Sequence, residues 1–304
     1  MSAPMRSTDF RAVVEPILNE VFDGVYEQRD DEHSEAFKTR TGTPRAYHEE
    51  AVLFGFGAAP ELPDGMPVTY QQGGTLFIKR YNYKVFGLAF ALTKILVEDG
   101  DHIRVGKVFS EHLAQSMVET KETNSANILN RAFNGSFLGG DGVALNVTNH
   151  PIRDGTFSNI LATAAVLSQT SLEQMLVNVR NAVSNEGKRI RLKPRKLIVP
   201  PANQFQAEVL VKSVLRAGSA NNDVNPVKSM GLLTEDTAVI SRLTSTTAWW
   251  ILTDCSMGLS VMTRRKLEKS MEGDFDTDSM RYKSTERYDI GWTDPRTVYG
   301  TPGV

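Results

Sequence analysis

Near the start of the chain Val13, Val14, Ile17, Leu18, Val21 and Phe22 recur at helical spacing, which predicts one amphipathic helix. Around it residues 1–50 are polar and acidic, with 11 Asp or Glu against 6 Lys or Arg. From Glu27 to Pro44 large apolar groups are nearly missing, and such a segment cannot bury enough surface to fold alone. It is expected to be disordered or laid against a partner. The pattern then turns to β: Ala51 to Gly57 and Leu76 to Phe86 are rich in aromatic and β-branched residues. Between them Pro60, Pro63, Pro67 and Pro63-Asp64-Gly65 mark a long connection in place of a two-residue turn. A two-stranded hairpin needs a surface to lie on, its own body or another chain.

From Gly87 to Phe133 the spacing predicts helix. Val105, Phe109, Leu113 and Met117 fall at four-residue steps, and Val108, Val118, Ile128, Leu129, Ala132 and Phe133 continue the face. Lys107 to Asn134 would form a helix of about 25 residues, roughly 40 Å long. Its middle, Thr120 to Asn127, is polar almost all round and is expected to be wet. Gly135 to Gly155 reads as loop. Ser171 is placed as the cap of a helix through Ser184, with Leu172, Met175, Leu176, Val179 and Val183 as its stripe. Gly187 is expected to close it. Arg195 to Val199 reads as a strand, and Ala202 to Arg216 as a helix with Phe205, Val209, Leu210 and Val214 on one face. Gly218 to Pro226 reads as a polar loop, and Val239 to Leu243 and Ala248 to Thr253 as strands. Met271 to Ser279 reads as an exposed acidic loop, Arg281 to Trp292 as a long strand, and Tyr299 to Val304 as a turn-like tail. No internal repeat interrupts this order.

Composition narrows the class. The 304 residues allow about two domains. Hydrophobic residues at 40% are slightly lean, which suits long surface-hugging segments. A net charge of −2 lacks the basic excess of a dedicated nucleic-acid binder. The single cysteine, Cys255, lies in the apolar run from Trp249 and reads as a buried inert thiol, with a reactive nucleophile as the alternative. It gives no sign of an oxidising compartment, so synthesis in a cytoplasm is expected. No run approaches 18 apolar residues, and Met1 to Phe10 lacks the core of a signal peptide. The sequons Asn134-Gly135-Ser136 and Asn146-Val147-Thr148 therefore read as chance matches.

The chemistry of a catalyst is not in evidence. Gly139-Gly140-Asp141-Gly142 precedes no helix with a P-loop lysine, and Gly55-Phe56-Gly57 lacks the rest of a dinucleotide fingerprint. His33, His48, His102, His112 and His150 show no ligand spacing with one another or with Cys255. His150, before Pro151, reads as a capping or hydrogen-bonding group. Asp274, Asp276 and Asp278 lack the glycine and terminal Glu of a calcium loop. No catalytic, cofactor-binding or metal-binding residue is expected, and no cofactor. Two basic clusters stand out: Lys188, Arg189, Arg191, Lys193, Arg195 and Lys196, and Arg264-Arg265-Lys266. Each reads as a solvated loop or as a contact with an acidic subunit or nucleic acid.

Three phrases, in this order, carry a resemblance. They are Lys79-Arg80-Tyr81 through Tyr83-Lys84-Val85-Phe86-Gly87-Leu88-Ala89-Phe90 to Thr93-Lys94 and Glu98-Asp99, then Asn149-His150-Pro151 through Gly155-Thr156-Phe157-Ser158-Asn159, then Pro194 through Leu197-Ile198-Val199-Pro200-Pro201. Over about residues 50–300 the chain resembles the major capsid (major head) proteins of tailed bacteriophages. The resemblance implies an α+β fold of the Hong Kong 97 type. Residues 1–50 would be an N-terminal arm, 51–86 an extended β-hairpin loop, and 87–160 a peripheral domain with a long spine helix. Residues 161–262 would be an α/β axial domain, 263–291 a return strand and loop of the peripheral domain, and 292–304 a C-terminal segment near the axial domain. Arm and hairpin would complete their cores on neighbouring copies. The implied function is self-assembly into hexamers and pentamers of an icosahedral head enclosing double-stranded DNA, held by weak non-specific contact. Scaffold, portal and decoration proteins are further implied partners, no membrane is involved, and the location is the virion after synthesis in the bacterial host cytoplasm. Some relatives join a hairpin lysine covalently to a neighbour's asparagine. Here Pro60 to Gly74 has no lysine, and Lys79 and Lys84 lie away from the tip, so no cross-link is expected. Two alternatives stay open: an encapsulin-like compartment shell with an enzyme cargo, and a nucleotide-dependent enzyme built on the α/β segment.

Overall fold

The computed structural model describes residues 7–28, 31–93, 95–96, 99, 101–216, 223–274 and 279–304. In chain order these form α1 (Ser7–Gln28), β1 (Lys38–Thr41), β2 (Tyr47–Phe54), β3 (Gly74–Asn82), β4 (Lys84–Leu92) and α2 (His102–Asn130). There follow β5 (His150–Ile152), β6 (Gly155–Phe157), α3 (Gln169–Arg180), β7 (Pro194–Val199), α4 (Gln204–Lys212), α5 (Pro226–Ser229) and β8 (Ala238–Val239). The chain closes with β9 (Trp249–Thr253), β10 (Leu259–Asp274), β11 (Ser279–Trp292) and β12 (Val298–Thr301).

Two four-stranded sheets organise these elements, one in the order β1-β10-β11-β4 and one in the order β12-β9-β7-β8. The second separates two cores, and the two-residue period of a strand explains how. Trp249 and Ile251 of β9 face a cluster with Leu172, Met175, Leu176 and Val179 of α3. Trp250 and Leu252 face the opposite cluster, which holds Leu129 of α2, Leu259, Tyr288 and Val298. A strand buried on both faces reads as an unbroken apolar run, which is why Trp249 to Leu252 carries no polar residue. In the first sheet β10 and β11 form a long antiparallel ribbon, and α1 and α2 pack on it through Leu18, Phe22, Leu113, Met117, Met271 and Tyr282.

The strands β7, β9 and β11, and the helices α1, α2 and α3, lie where the sequence pattern places them. Several other expectations are corrected. The stretch from Gly87 is strand to Leu92, not helix, because β4 pairs antiparallel with β11 from Met280 to Tyr288. The expected strand Leu76 to Phe86 is likewise two strands, which turn from the β2–β3 hairpin to the sheet at Tyr83. The helix capped by Ser171 begins earlier: Ser168 is the cap, and the two serines bond reciprocally through Ser171 N to Ser168 Oγ and Ser168 N to Ser171 Oγ. It ends at Arg180, so Gly187 (φ 76°) serves a turn after Ser184 in place of a helix end. Helix α4 is shorter than Ala202 to Arg216 and buries Ala207 and Leu210, while Phe205 on the expected core face is 83% exposed. Met271 is fully buried in β10, so the acidic loop expected from Met271 starts no earlier than the end of that strand. Residues 275–278, with Asp276 and Asp278, lie outside the described residues, as do Lys94, Glu98 and most of Gly218 to Pro226. The tail is turn-like only at its end, where Gly303 has φ 75°: Tyr299 to Thr301 belong to β12, which pairs with β9 and is buried throughout.

The largest corrections concern the arm. Residues 31–44 lie on the body of their own chain, with His33, Ala36 and Phe37 buried and β1 paired parallel to β10. The segment compensates for its few apolar groups with polar anchors. Glu32 accepts from Ser241 N at 2.9 Å and pairs with Arg242 at 2.9 Å, and Glu35 pairs with Lys196. Helix α2 extends over 29 residues, about 44 Å, and its middle is not wet. Glu122, Ser125 and Ala126 continue the buried face set by Leu113, Met117 and Val118. Glu122 stays polar because it has a polar partner: one oxygen accepts from His33 N at 2.8 Å, and the other lies 2.5 Å from His33 Nδ1.

Candidate functional site

The two buried histidines, His33 and His150, are committed to holding the chain together. His150 is fully buried, with Nδ1 2.6 Å from Asp141 and Nε2 3.2 Å from Leu145 O and Asn159 Oδ1. Asn159 in turn donates to Leu145 O at 2.7 Å, Pro295 O at 3.0 Å and Val298 O at 3.1 Å. The phrase from Asn149 to Asn159 is therefore a polar knot that ties the loop after α2 to the end of the chain. Asp141, inside the glycine cluster, serves this knot, and Gly140 sits against β3, where a Cβ would come within 3.0 Å of Lys79 Cα. Asp31, His33 and Glu122 bring one ligand atom each within 4.8 Å of one another. One Glu122 oxygen is engaged by His33 Nδ1 and the other by His33 N, so His33 and Glu122 act as a clamp between the arm and α2.

Cys255 is half-buried, and burial, assisted by Asp294, pushes its thiol up to about 12. The thiolate is the reactive form, and at pH 8 it would be about one part in ten thousand. The native chain is expected to resist iodoacetamide at pH 8 while the urea-unfolded chain is alkylated within minutes, a contrast that mass spectrometry reads directly. Rapid labelling of the folded chain would contradict the burial.

The basic run divides. Arg195 pairs with Glu235, and Lys196 lies between Glu35 and Glu235, so both serve the fold. Lys188 donates to Gly57 O and Arg189 to Asn181. Arg191 and Lys193 are exposed. In the second cluster Arg264 donates to Pro44 O at 2.9 Å and Arg265 to Thr285 at 3.0 Å, which leaves Lys266 exposed. Lys79 packs over Tyr81 and Trp292, and burial pulls its amine below the usual lysine range.

What remains is surface. Strands β2 and β3 form a two-stranded hairpin, and the 19 residues between Phe54 and Gly74 have no regular structure. The turn after α3 grips the base of this connection: Asn185 donates to Leu53 O at 2.8 Å, and Glu186 accepts from Gly55 N. Beyond that base Phe56, Leu62, Met66, Val68 and Tyr70 are all exposed, Tyr70 by 94%. They line an open cleft of about 560 Å³ between the two sides of the loop. The only charges from Gly55 to Gly73 are Glu61 and Asp64. An apolar projection of this size without convergent polar groups is a contact surface, not a reaction site. Sequence reading located this loop but missed the bareness of α4 and β4, since each carries an ordinary apolar pattern.

Among the described residues no helix is long and apolar enough to cross a membrane. Residues 80–300 match the family described as phage capsid protein. No curated protein matches the sequence. Among solved structures the capsid of cyanophage P-SCSP1u is similar with TM-score 0.55 at 11% identity, over 86% of this chain and 85% of that one. The mature capsid of bacteriophage PhiM1 is similar with TM-score 0.55 at 12% identity, over 90% and 87%. A structure from Mycobacterium phage Patience is similar with TM-score 0.54 at 9% identity, over 97% and 89%. At such identities these structures show a shared fold, and the family match covers most of the chain. The chain belongs to the phage capsid proteins and is a major capsid protein with the Hong Kong 97-type fold, a building block of the phage head.

Proposed function

We propose that copies of this chain form the hexamers and pentamers of an icosahedral head that encloses double-stranded DNA. The observation that carries this reading is the loop from Gly55 to Gly73, whose large apolar side chains find no cover in their own chain. Closed rings of identical chains would give each loop a neighbour to lie on, and obligate contacts of this kind bury roughly 2,000–5,000 Å². In this reading residues 1–50 are the arm, 51–86 the extended loop, and 87–160 with 263–291 the peripheral domain. Residues 161–262 are the axial domain, with 292–304 beside it. The arm, held by its own body, acts as a fixed strap; the loop is the part that reaches out. The near-neutral chain would meet packaged DNA weakly, through exposed cations such as Arg191, Lys193 and Lys266. Scaffold, portal and decoration proteins are the further partners this role calls for, and synthesis would take place in the cytoplasm of a bacterial host.

Electron microscopy of the purified chain, with and without a scaffold, is expected to show shells, tubes or capsomers. A dilute monomer that assembles under no condition would overturn the reading. Denaturing gels of the particles should show single chains, because no lysine occupies the loop tip; a high-mass ladder would overturn that part alone.

A further inference from the structure

Strand β4 is the bare edge of its sheet. It pairs with β11 on one side only, and among the described residues no backbone hydrogen bond reaches its other side. Edges of this kind are normally blunted by charge, proline, a bulge or a covering element. Here Val85-Phe86-Gly87-Leu88-Ala89-Phe90-Ala91-Leu92 has no charge and no proline. Its pairing with β11 runs without a bulge, and Val85 and Leu88 are 61% and 52% exposed. An uncharged open edge of this kind is a template for a further strand, which marks it as a surface to be covered.

The loop tip holds a segment of matching character. Pro63 to Met66 forms a turn, with Met66 N bonded to Pro63 O at 3.2 Å and Gly65 at φ 78°. After it Met66, Val68 and Tyr70 alternate with Pro67, Thr69 and Gln71, the two-residue period of a strand. Yet residues 67–73 have no backbone partner in their own chain among the described residues. The segment is also uncharged, and Pro67 biases Met66 toward extended backbone. In an extended strand Met66, Val68 and Tyr70 present their N–H and C=O to one edge, and Pro67, Thr69 and Gln71 to the other. The missing N–H of Pro67 thus falls on the side away from a partner that pairs through Val68 and Tyr70.

We infer that residues 66–71 of one copy add as an extra strand to the bare edge of β4 in a second copy, through the backbone of Met66, Val68 and Tyr70. The inference rests on the shell-building reading above. Each copy supplies one open edge and one unpaired uncharged segment, so their numbers match in any closed ring, and no other protein is needed. Strand addition of this type draws affinity from main-chain bonds and register from alternate side chains.

Hydrogen–deuterium exchange on wild-type particles and on their dissociated chains tests it. The amides of Val85 to Leu92 that β11 leaves free are expected to exchange at least about tenfold more slowly in the particles. Val68→Pro removes an N–H from the pairing edge and Thr69→Pro removes one from the outer edge. Val68→Pro should therefore restore fast exchange at β4 or prevent assembly, while Thr69→Pro assembles with β4 protected. If the wild-type chain forms no particles, the shell-building reading itself fails. Particles whose β4 amides stay as fast as in the dissociated chain overturn the strand addition alone. Equal behaviour of the two proline variants, or protection that survives Val68→Pro, overturns the assignment to this segment.

Discussion

Glu122→Ala is expected to lower the stability of the isolated chain by about 3 kcal/mol, since it leaves two buried donors of His33 without a partner. For a chain of this size that is a fall of roughly 5 °C in Tm. Both residues are almost fully buried, so water cannot replace the lost acceptor. Glu122→Gln separates hydrogen bonding from charge. Its amide oxygen can still accept from His33 N, and its amide nitrogen can donate to a neutral imidazole. Most of the lost stability should return in that variant. Thermal unfolding of dissociated chains, followed by circular dichroism, reads both. A Glu122→Ala chain within 1 °C of wild type would show that the clamp contributes nothing.

The same pair illustrates why part of the fold is invisible in the sequence. Nothing near Glu122 marks it as buried, because the group that makes it tolerable is His33, 89 residues upstream. Read locally, Thr120 to Asn127 is a polar stretch; read with its partner, it is the continuation of the α2 seam. Strand β4 fails for a related reason. Leu88, Ala89, Ala91 and Leu92 are good helix formers, and pairing with β11 nearly two hundred residues later decides against helix. The buried tail is a third case, since Val298 to Thr301 becomes strand only beside β9. Elements whose signal is local were legible: the stripe of α3, the Pro-bounded β7, the alternation of β11 and the length of α2. The loop from Gly55 to Gly73 was legible as a long connection, for its prolines and Pro63-Asp64-Gly65 need no distant partner to identify them, whereas the exposure of Val68 and Tyr70 in its polar-looking second half was not. The contact surface was thus easier to locate than the scaffold beneath it.

That loop supports the prediction with the largest functional effect. Replacing Leu62 and Tyr70 together by serine is expected to leave the isolated chain unchanged in stability and to raise the concentration needed for assembly about a hundredfold or more. Both side chains are mostly exposed in the single chain, Tyr70 by 94%, so the folded monomer loses almost nothing when they go. A neighbour that covers them would bury each fully, worth about 1.5–3 kcal/mol apiece. A loss of 3 kcal/mol per contact corresponds to about two powers of ten in an association constant. A closed shell makes one such contact for every copy, so the deficit recurs around each ring. Light scattering against concentration measures the threshold, and thermal unfolding of the dissociated chain provides the control. An unchanged threshold would mean that the loop stays bare in the shell. A Tm that falls along with assembly would mean that these residues serve the monomer instead. The contrast between an untouched chain and a disabled assembly is what a surface built for contact with a second copy requires.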